Sequence, residues 1–186
     1  LDLDEVASIA ELVEAVRVAA EALPSGQMLT GRGWIETHWP EGRFPTRQDL
    51  DPVSGDRPVV LTRADGHALV ANTAALRKAG IAGKPKSQPD GGRIEVDETG
   101  FPTGMLIDNA MAAIARIRTA PTPAQVEDYY VKGAARELSL GWTGVHNMSV
   151  PAAHVPVMNR LSDAGNLPLR IYNAVDGEDV GEGEAD

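Results

Sequence analysis

The chain has 186 residues, no cysteine, 42% apolar and 24% charged residues, and a formal net charge of −10. That is ordinary globular composition with material for a sizeable core, yet it falls short of the roughly 250 residues of a typical complete (β/α)8 barrel. Disulfides and Cys-type zinc sites are excluded, and no run approaches the ~18 apolar residues of a membrane span.

Asp176 to Asp186 holds six acids and no base, which leaves −4 for the rest of the chain. A mildly acidic body argues against nucleic acid, which needs a basic footprint, and against anionic membrane surfaces. Aromatic residues make up 4%, so Ala, Val, Leu and Ile must build most of the core. No signal peptide is visible and a cytoplasmic location is expected; the start at Leu1 rather than Met leaves an upstream segment open.

Ser8 to Leu23 reads as an amphipathic helix, with Ile9, Leu12, Val16, Ala19 and Leu23 at helical spacing and Ser8/Glu11 as a capping box. Gln27 to Thr30 is a short strand candidate. Gly31-Arg32-Gly33-Trp34 then suggests either a backbone bent tightly near a ligand or a plain turn with Trp34 in the core. Thr46 caps a short helical turn, Arg47 to Leu50, which Asp51-Pro52 should break. The stretch Arg57 to Gly80 reads as a strand from Pro58 to Leu61, a polar turn carrying Asp65-Gly66-His67, and a helix capped by Asn72 and stopped at Gly80. Arg93–Val96 and Phe101–Leu106, joined by Asp97-Glu98-Thr99-Gly100, predict a small hairpin inserted at about 93–106.

Asn109 to Ile117 reads as helix, and Thr122-Pro123-Ala124-Gln125 opens a second one that runs to Leu140. Trp142 to Asn147 is a buried strand candidate. A helix from about His154 to Ala164 and a last strand, Leu167 to Val175, complete the body. The acidic, Gly-rich segment 176–186 reads as disordered. Strands alternating with helices predict an α/β fold with a parallel sheet.

The four histidines, His38, His67, His146 and His154, show no paired-ligand spacing. In a parallel sheet His67 and His146 would both lie at the carboxyl edge, where ligands bind. Asp65 and His67 flank a glycine that lets a ligand approach the backbone, although Asp-Gly is also a common turn. Asp108 follows an apolar run, as a metal-bridging carboxylate or general base does, and equally as a helix N-cap does. Ser149 has no acid to complete a triad with His146, and neither a nucleophile elbow nor a nucleotide-binding glycine loop is present.

One resemblance rests on an ordered set of motifs. It runs through Gly31-Arg32-Gly33-Trp34, Trp39, Pro45-Thr46-Arg47-Gln48-Asp49-Leu50-Asp51, Arg57-Pro58-Val59, Asp65-Gly66-His67 and Asn72-Thr73-Ala74-Ala75-Leu76. It continues through Gly80-Ile81, Gly91-Gly92, Gly100-Phe101-Pro102-Thr103-Gly104-Met105-Leu106, Gly141-Trp142-Thr143-Gly144-Val145-His146 and Leu169-Arg170. Over Leu3 to Val175 the chain resembles amidohydrolase family 3, the YtcJ-like and N-substituted-formamide-deformylase-like group of the metal-dependent amidohydrolase superfamily.

That resemblance implies a partial (β/α)8 TIM barrel with parallel strands over 3–175. It implies hydrolysis of a non-peptide C–N bond, amide or cyclic amide, in a small-molecule substrate. It also implies a divalent metal, zinc, that activates water in the full-length enzyme. The family's H-x-H and its late His, His and Asp ligands would fall outside the chain, so no metal is expected in this chain alone. Asp108 stands where relatives often carry a Glu, and Val145-His146-Asn147 where many read V-H-D. Arg32, Asp65, His67 and His146 are expected on the substrate side, with Asp108 as a metal-ligand candidate. The isolated chain is expected to be inactive and to self-associate through open sheet edges. The alternative is a non-catalytic α/β fragment serving as an assembly or interaction module.

Overall fold

A computed structural model describes residues 1–177. The chain divides into two compact units, Leu1–Arg118 and Thr119–Asp186, and each is taken by itself.

In the first unit, α1 (Ile9–Ala22) begins at Ser8, whose side chain accepts from the Glu11 N–H at 3.1 Å. Only half of the expected capping box forms, because the Glu11 carboxylate takes the N–H of Ala7 instead of that of Ser8. Ile9, Leu12 and Val16 bury one face of the helix against the sheet.

β1 (Leu29–Trp34) continues through Gly31-Arg32-Gly33, with its register slipping at Gly33, where a tight bend near a ligand or a plain turn was expected. The glycines make room for the chain's own N-terminal segment. Leu3 N–H donates to Arg32 O at 2.9 Å and Arg32 N–H to Leu1 O at 3.0 Å. A Cβ on Gly33, at φ +119°, would come within 1.9 Å of Asp4 Oδ1. Trp34 is fully buried, as expected of a core residue, and its Nε1 donates to Leu61 O at 3.0 Å.

α2 (Arg47–Ser54) continues past Asp51-Pro52 instead of breaking there. Pro52 removes one backbone donor, but Thr46 and Asp49 lock the first turn as a capping box, and Leu50 is fully buried. Asp51 faces the next helix, accepting from the N–H and hydroxyl of Thr73 at 2.8 and 2.7 Å.

The stretch expected to be strand, turn and helix contains a second strand. β2 (Val59–Arg63) turns at Asp65-Gly66 into β3 (Ala68–Ala71), antiparallel to it, and only then does α3 (Thr73–Lys78) begin. All four residues of β3 are buried and the strand pairs on both sides, so this short apolar run is the centre of a sheet. Asn72 caps α3 as expected and does more. Its Oδ1 accepts from Val59 N–H and Ala75 N–H, while its Nδ2 donates to Ser54 Oγ and Arg57 O. This fully buried amide is therefore fully satisfied.

The predicted hairpin forms as β4 (Gly92–Val96) and β5 (Pro102–Asp108). Asp97 holds its tip, accepting from Thr99 N–H, Thr99 Oγ1 and Phe101 N–H. β5 also pairs with β3, giving one five-stranded sheet in the order β1-β2-β3-β5-β4. The α/β class holds, but the sheet is mixed: β1–β2 is parallel and the other three pairings are antiparallel. The expected main sheet of parallel strands with one inserted hairpin is overturned because β2–β3 is a second hairpin and the inserted one joins the same sheet through β3–β5. After Asp108 a 3-10 turn, Asn109–Met111, leads into α4 (Ala112–Ala115). One face of the sheet, with Val59 and Leu61, packs with α1 and Leu50. The other face, with Val60 and Leu106, packs with Leu76 of α3 and Ile114 of α4.

The second unit opens with α5 (Pro123–Ser139), whose Thr122/Gln125 capping box forms as predicted. β6 (Gly144–Val150), α6 (Val155–Asp163) and β7 (Arg170–Val175) follow. β6 and β7 pair in parallel as a two-stranded sheet. Val126, Val157 and Leu161 form a small core between α5 and α6. The expectation of a buried strand at Trp142–Asn147 fails: the strand starts at Gly144, and His146 and Met148 are exposed. Of the segment expected to be disordered, residues 178–186 lie outside the described residues. Among the described residues no helix is long and apolar enough to cross a membrane.

Candidate functional site

Two antiparallel steps separate β5 from β2, so β5 runs in the same direction as β1 and β2. The carboxyl ends of these three strands therefore share one edge of the sheet. That edge gathers Arg32 from β1, Asp65 and His67 from the β2–β3 turn, and Asp108 from the end of β5.

The turn is held by its own residues. Asp65 Oδ1 accepts the His67 N–H at 3.0 Å, and Gly66 sits at φ +80°. Arg63 pairs with the other Asp65 oxygen and clamps Glu36, with Nε to Oε2 at 2.8 Å and Nη2 to Oε1 at 3.1 Å. Burial opposes ionisation of Asp65, but the His67 N–H and the Arg63 charge outweigh it and hold the carboxyl below its usual range. Burial likewise opposes ionisation of Glu36, and the Arg63 hydrogen bonds win there too. Both carboxylates are thus tied to the scaffold. The Arg63–Glu36 clamp went unnoticed in the sequence, where the only available signal was a charged pair beside the ends of two apolar runs.

His67 and Asp108 are joined twice. Asp108 N–H donates to His67 O at 2.9 Å, and His67 Nδ1 lies 3.0 Å from Asp108 Oδ1. Asp108 has φ +47° and ψ −125°, a conformation unfavourable for a side chain that is not glycine. Its carboxylate makes no cap to the following turn, so the N-cap alternative fails, and the group faces the imidazole instead. With a proton on Nδ1 shared toward Asp108, the imidazole presents the Nε2 lone pair outward. Its side chain is 77% exposed, so the nitrogen is open to a ligand. Arg32 reaches over the turn, Nη2 donating to Ala64 O at 3.1 Å.

His146 belongs to the second unit. It stands on β6 opposite Tyr172, the two ring centroids 5.3 Å apart. With Trp142, Arg170 and Tyr172 it lines an open groove of about 630 Å³. Asn147, in the position next to it, bonds to Asn173 on β7 at 3.1 Å. The first unit thus brings Arg32, Asp65, His67 and Asp108 to one edge, and His146 is not part of that set.

A catalytic divalent metal takes three or more protein donors with open positions left for water and substrate. Among the described residues no group of three His, Asp or Glu side chains is arranged to hold one. Asp108 and His67 offer two donors that already face each other. These residues therefore do not fit a self-contained metal centre.

A family model described as the amidohydrolase family matches residues 1–185. YtcJ of Bacillus subtilis (strain 168), named as an amidohydrolase, is 32% identical over 97% of this chain and 35% of its own length. The N-substituted formamide deformylase of Arthrobacter pascens is 31% identical over 93% of this chain and 32% of its own length. Two crystal structures of uncharacterized metal-dependent hydrolases share the fold. The one from Pyrococcus horikoshii OT3 has a TM-score of 0.57 at 23% identity, over 94% of this chain and 32% of its own. The one from Pyrococcus furiosus has 0.54 at 28%, over 94% of this chain and 33% of its own. The chain spans about a third of the length of these relatives. The chain belongs to the amidohydrolase family.

Proposed function

We propose that this chain supplies part of the substrate-facing wall of a metal-dependent amidohydrolase that hydrolyses a non-peptide C–N bond, amide or cyclic amide, in a small molecule. In this reading it is a segment of a (β/α)8 barrel whose zinc ligands come mostly from residues beyond those described. The observation that carries the reading is the His67–Asp108 pair, 3.0 Å apart at the edge where β1, β2 and β5 end. The deformylase relative supports the choice of bond.

The roles follow from the contacts. Asp108 fixes the imidazole of His67, and the exposed Nε2 lone pair accepts a hydrogen bond from a substrate N–H. Asp65 holds the turn that presents His67. Arg32 orients the substrate from the neighbouring strand. His146 is assigned to the separate groove that it lines with Trp142, Arg170 and Tyr172 in the second unit. No step is assigned to a metal, because the donors present do not complete its site. β4 and β7 are terminal strands of their sheets, and self-association through them is part of the same reading.

The test is made on the purified chain. Incubated with Zn²⁺ and a panel of N-substituted formamides and cyclic amides, it is expected to show no turnover and no tight one-to-one zinc binding by equilibrium dialysis. Stoichiometric zinc retention would overturn the incomplete centre. In the parent reading frame, an H-x-H upstream and His, His and Asp downstream are expected. There His67→Asn should lower kcat/KM about a hundredfold, and an unchanged value would remove His67 from the wall.

A further inference from the structure

We propose that Arg32 and Arg118 form a binding site for a small molecule carrying an oxyanion, a carboxylate or a phosphate, in the groove beside the β2–β3 turn. The groove is about 490 Å³, of the size that takes a metabolite-sized ligand, and Thr30, Arg32, Thr62, Gly66, Met111 and Arg118 line it. All six belong to the first unit.

The sheet register explains why the two guanidinium groups converge. Arg32 on β1 is the direct partner of Thr62 on β2, and Thr30 is the partner of Val60, so Thr30, Arg32 and Thr62 project from one face. Arg118, the last residue of the unit, follows α4 across the same face and donates from Nη2 to Thr62 Oγ1 at 3.3 Å. Arg118 thus bonds the hydroxyl of the threonine that pairs with Arg32. Two positive charges in one groove repel each other unless an anion lies between them.

No such anion is supplied by the described residues. Arg17, Arg43, Arg63, Arg93 and Arg160 each pair with a carboxylate, but neither Arg32 nor Arg118 does. The acids near this groove are engaged elsewhere: Glu36 and Asp65 with Arg63, Asp108 with His67, and Asp2, the bridge partner of Arg32, with the Asp4 N–H. Arg32 and Arg118 have one neutral acceptor each, Ala64 O and Thr62 Oγ1. A guanidinium has five N–H donors, so most of theirs remain open toward the groove. Protein packed around Arg118 pushes its pKa down although the side chain still reaches solvent, which marks a cation short of a counter-charge. Forked guanidinium donors with hydroxyls beneath them match the oxygens of a carboxylate or a phosphate. The inference rests on the arginine pair and not on amide hydrolysis, so either can fail without the other.

The test is calorimetric titration of the purified chain at low salt with inorganic phosphate and, separately, with benzoate. Saturable binding of at least one is expected, and the one that binds identifies the oxyanion. Arg32→Gln and Arg118→Gln should each weaken it about tenfold, the loss of one charge-assisted contact. Arg118→Lys should retain part of the affinity, and Arg17→Gln on α1 should retain all of it. Both groove side chains are exposed, so circular dichroism should be unchanged in the variants. No saturable binding of either anion, or binding that survives the R32Q/R118Q double substitution, would overturn the site.

Discussion

In the first unit β2 and β3 lie between two apolar layers, with Leu61 and Val60 fully buried on opposite faces. In the second unit β6 and β7 carry Met148 and Tyr172 at 67% and 69% exposure, and Trp142 beside them at 58%. Both units use strands of four to seven residues joined to helices, so the difference is not one of local propensity. It lies in pairing. A five-stranded sheet gives its central strands hydrogen-bond partners on both sides and two faces to bury. A parallel pair of strands has one partner each, and parallel sheets are ordinarily covered on both faces. The first unit therefore holds its candidate site on a rigid edge, while the second presents apolar side chains and a histidine on an open surface.

The sharpest way to break the comparison is to cut into each core in turn. Trp34→Ala removes the largest fully buried side chain of the first unit and should cost about 3–5 kcal/mol in urea unfolding followed by circular dichroism. Leu161→Ala, in the small α5–α6 core, should cost about 2 kcal/mol, near the lower limit for such a truncation. Equal losses would mean that the second unit is as tightly packed as the first.

An effect below that of Trp34→Ala is expected at Asn72. Asn72→Leu leaves the Val59 and Ala75 N–H groups without their acceptor and should cost about 2–3 kcal/mol by the same measurement. Asn72→Asp restores the acceptor but leaves Ser54 Oγ and Arg57 O without a donor, and should recover only part of the loss. Full recovery would show that only the acceptor matters.

Hydrogen exchange gives the comparison a local reading. Amides of β2 and β3 should exchange with close to the global unfolding free energy, and those of β6 and β7 about tenfold or more faster. Similar protection in the two sheets would remove the distinction.

The smallest effect comes from pH. Glu36, Asp49 and Asp65 all have folded pKa values below their ordinary ones. Burial raises each of them, but the hydrogen bonds and charge of Arg63, or of Arg43 and Thr46, outweigh it. Stability from such groups is fully present above the ordinary carboxylate range, near pH 4–5, and is lost as pH falls through the depressed folded values. Glu36→Gln should therefore flatten the decline of melting temperature below about pH 5 and cost about 1 kcal/mol or less at pH 7. A profile identical to that of the unaltered protein would mean that the Arg63–Glu36 clamp contributes nothing.

Much of this was legible in the residues. Ser8, Thr46, Asn72 and Thr122 marked four helix starts, because a side-chain oxygen placed before an apolar stripe meets the exposed N–H groups wherever it occurs. The hairpin tip at Asp97 to Gly100 was legible for the same reason, since its bonds span four residues or fewer. The ordered motifs from Gly31 to Arg170 pointed to the family, and the family match bears that out.

Other features depended on contacts distant in sequence. Ala68–Ala71 is too short for periodicity to name it a strand, and it is one because β2 and β5 lie on either side. Gly31 and Gly33 looked like a tight bend or a turn; Leu1, Leu3 and Asp4 of the N-terminal segment, with the Leu61 side chain, fill the space that their missing side chains leave. The partnership of His67 with Asp108 spans 41 residues and exists only because two antiparallel steps return β5 to the direction of β2. The same applies to Arg32 and Arg118, which strand register and α4 bring to one groove. The sequence by itself determined the helix caps, the hairpin tip, the acidic balance and the family, all set by neighbouring residues or by their order. Only the tertiary structure decided which strands pair, what the glycines accommodate and which charged side chains meet, because those depend on backbone hydrogen bonds between segments that local chemistry does not join.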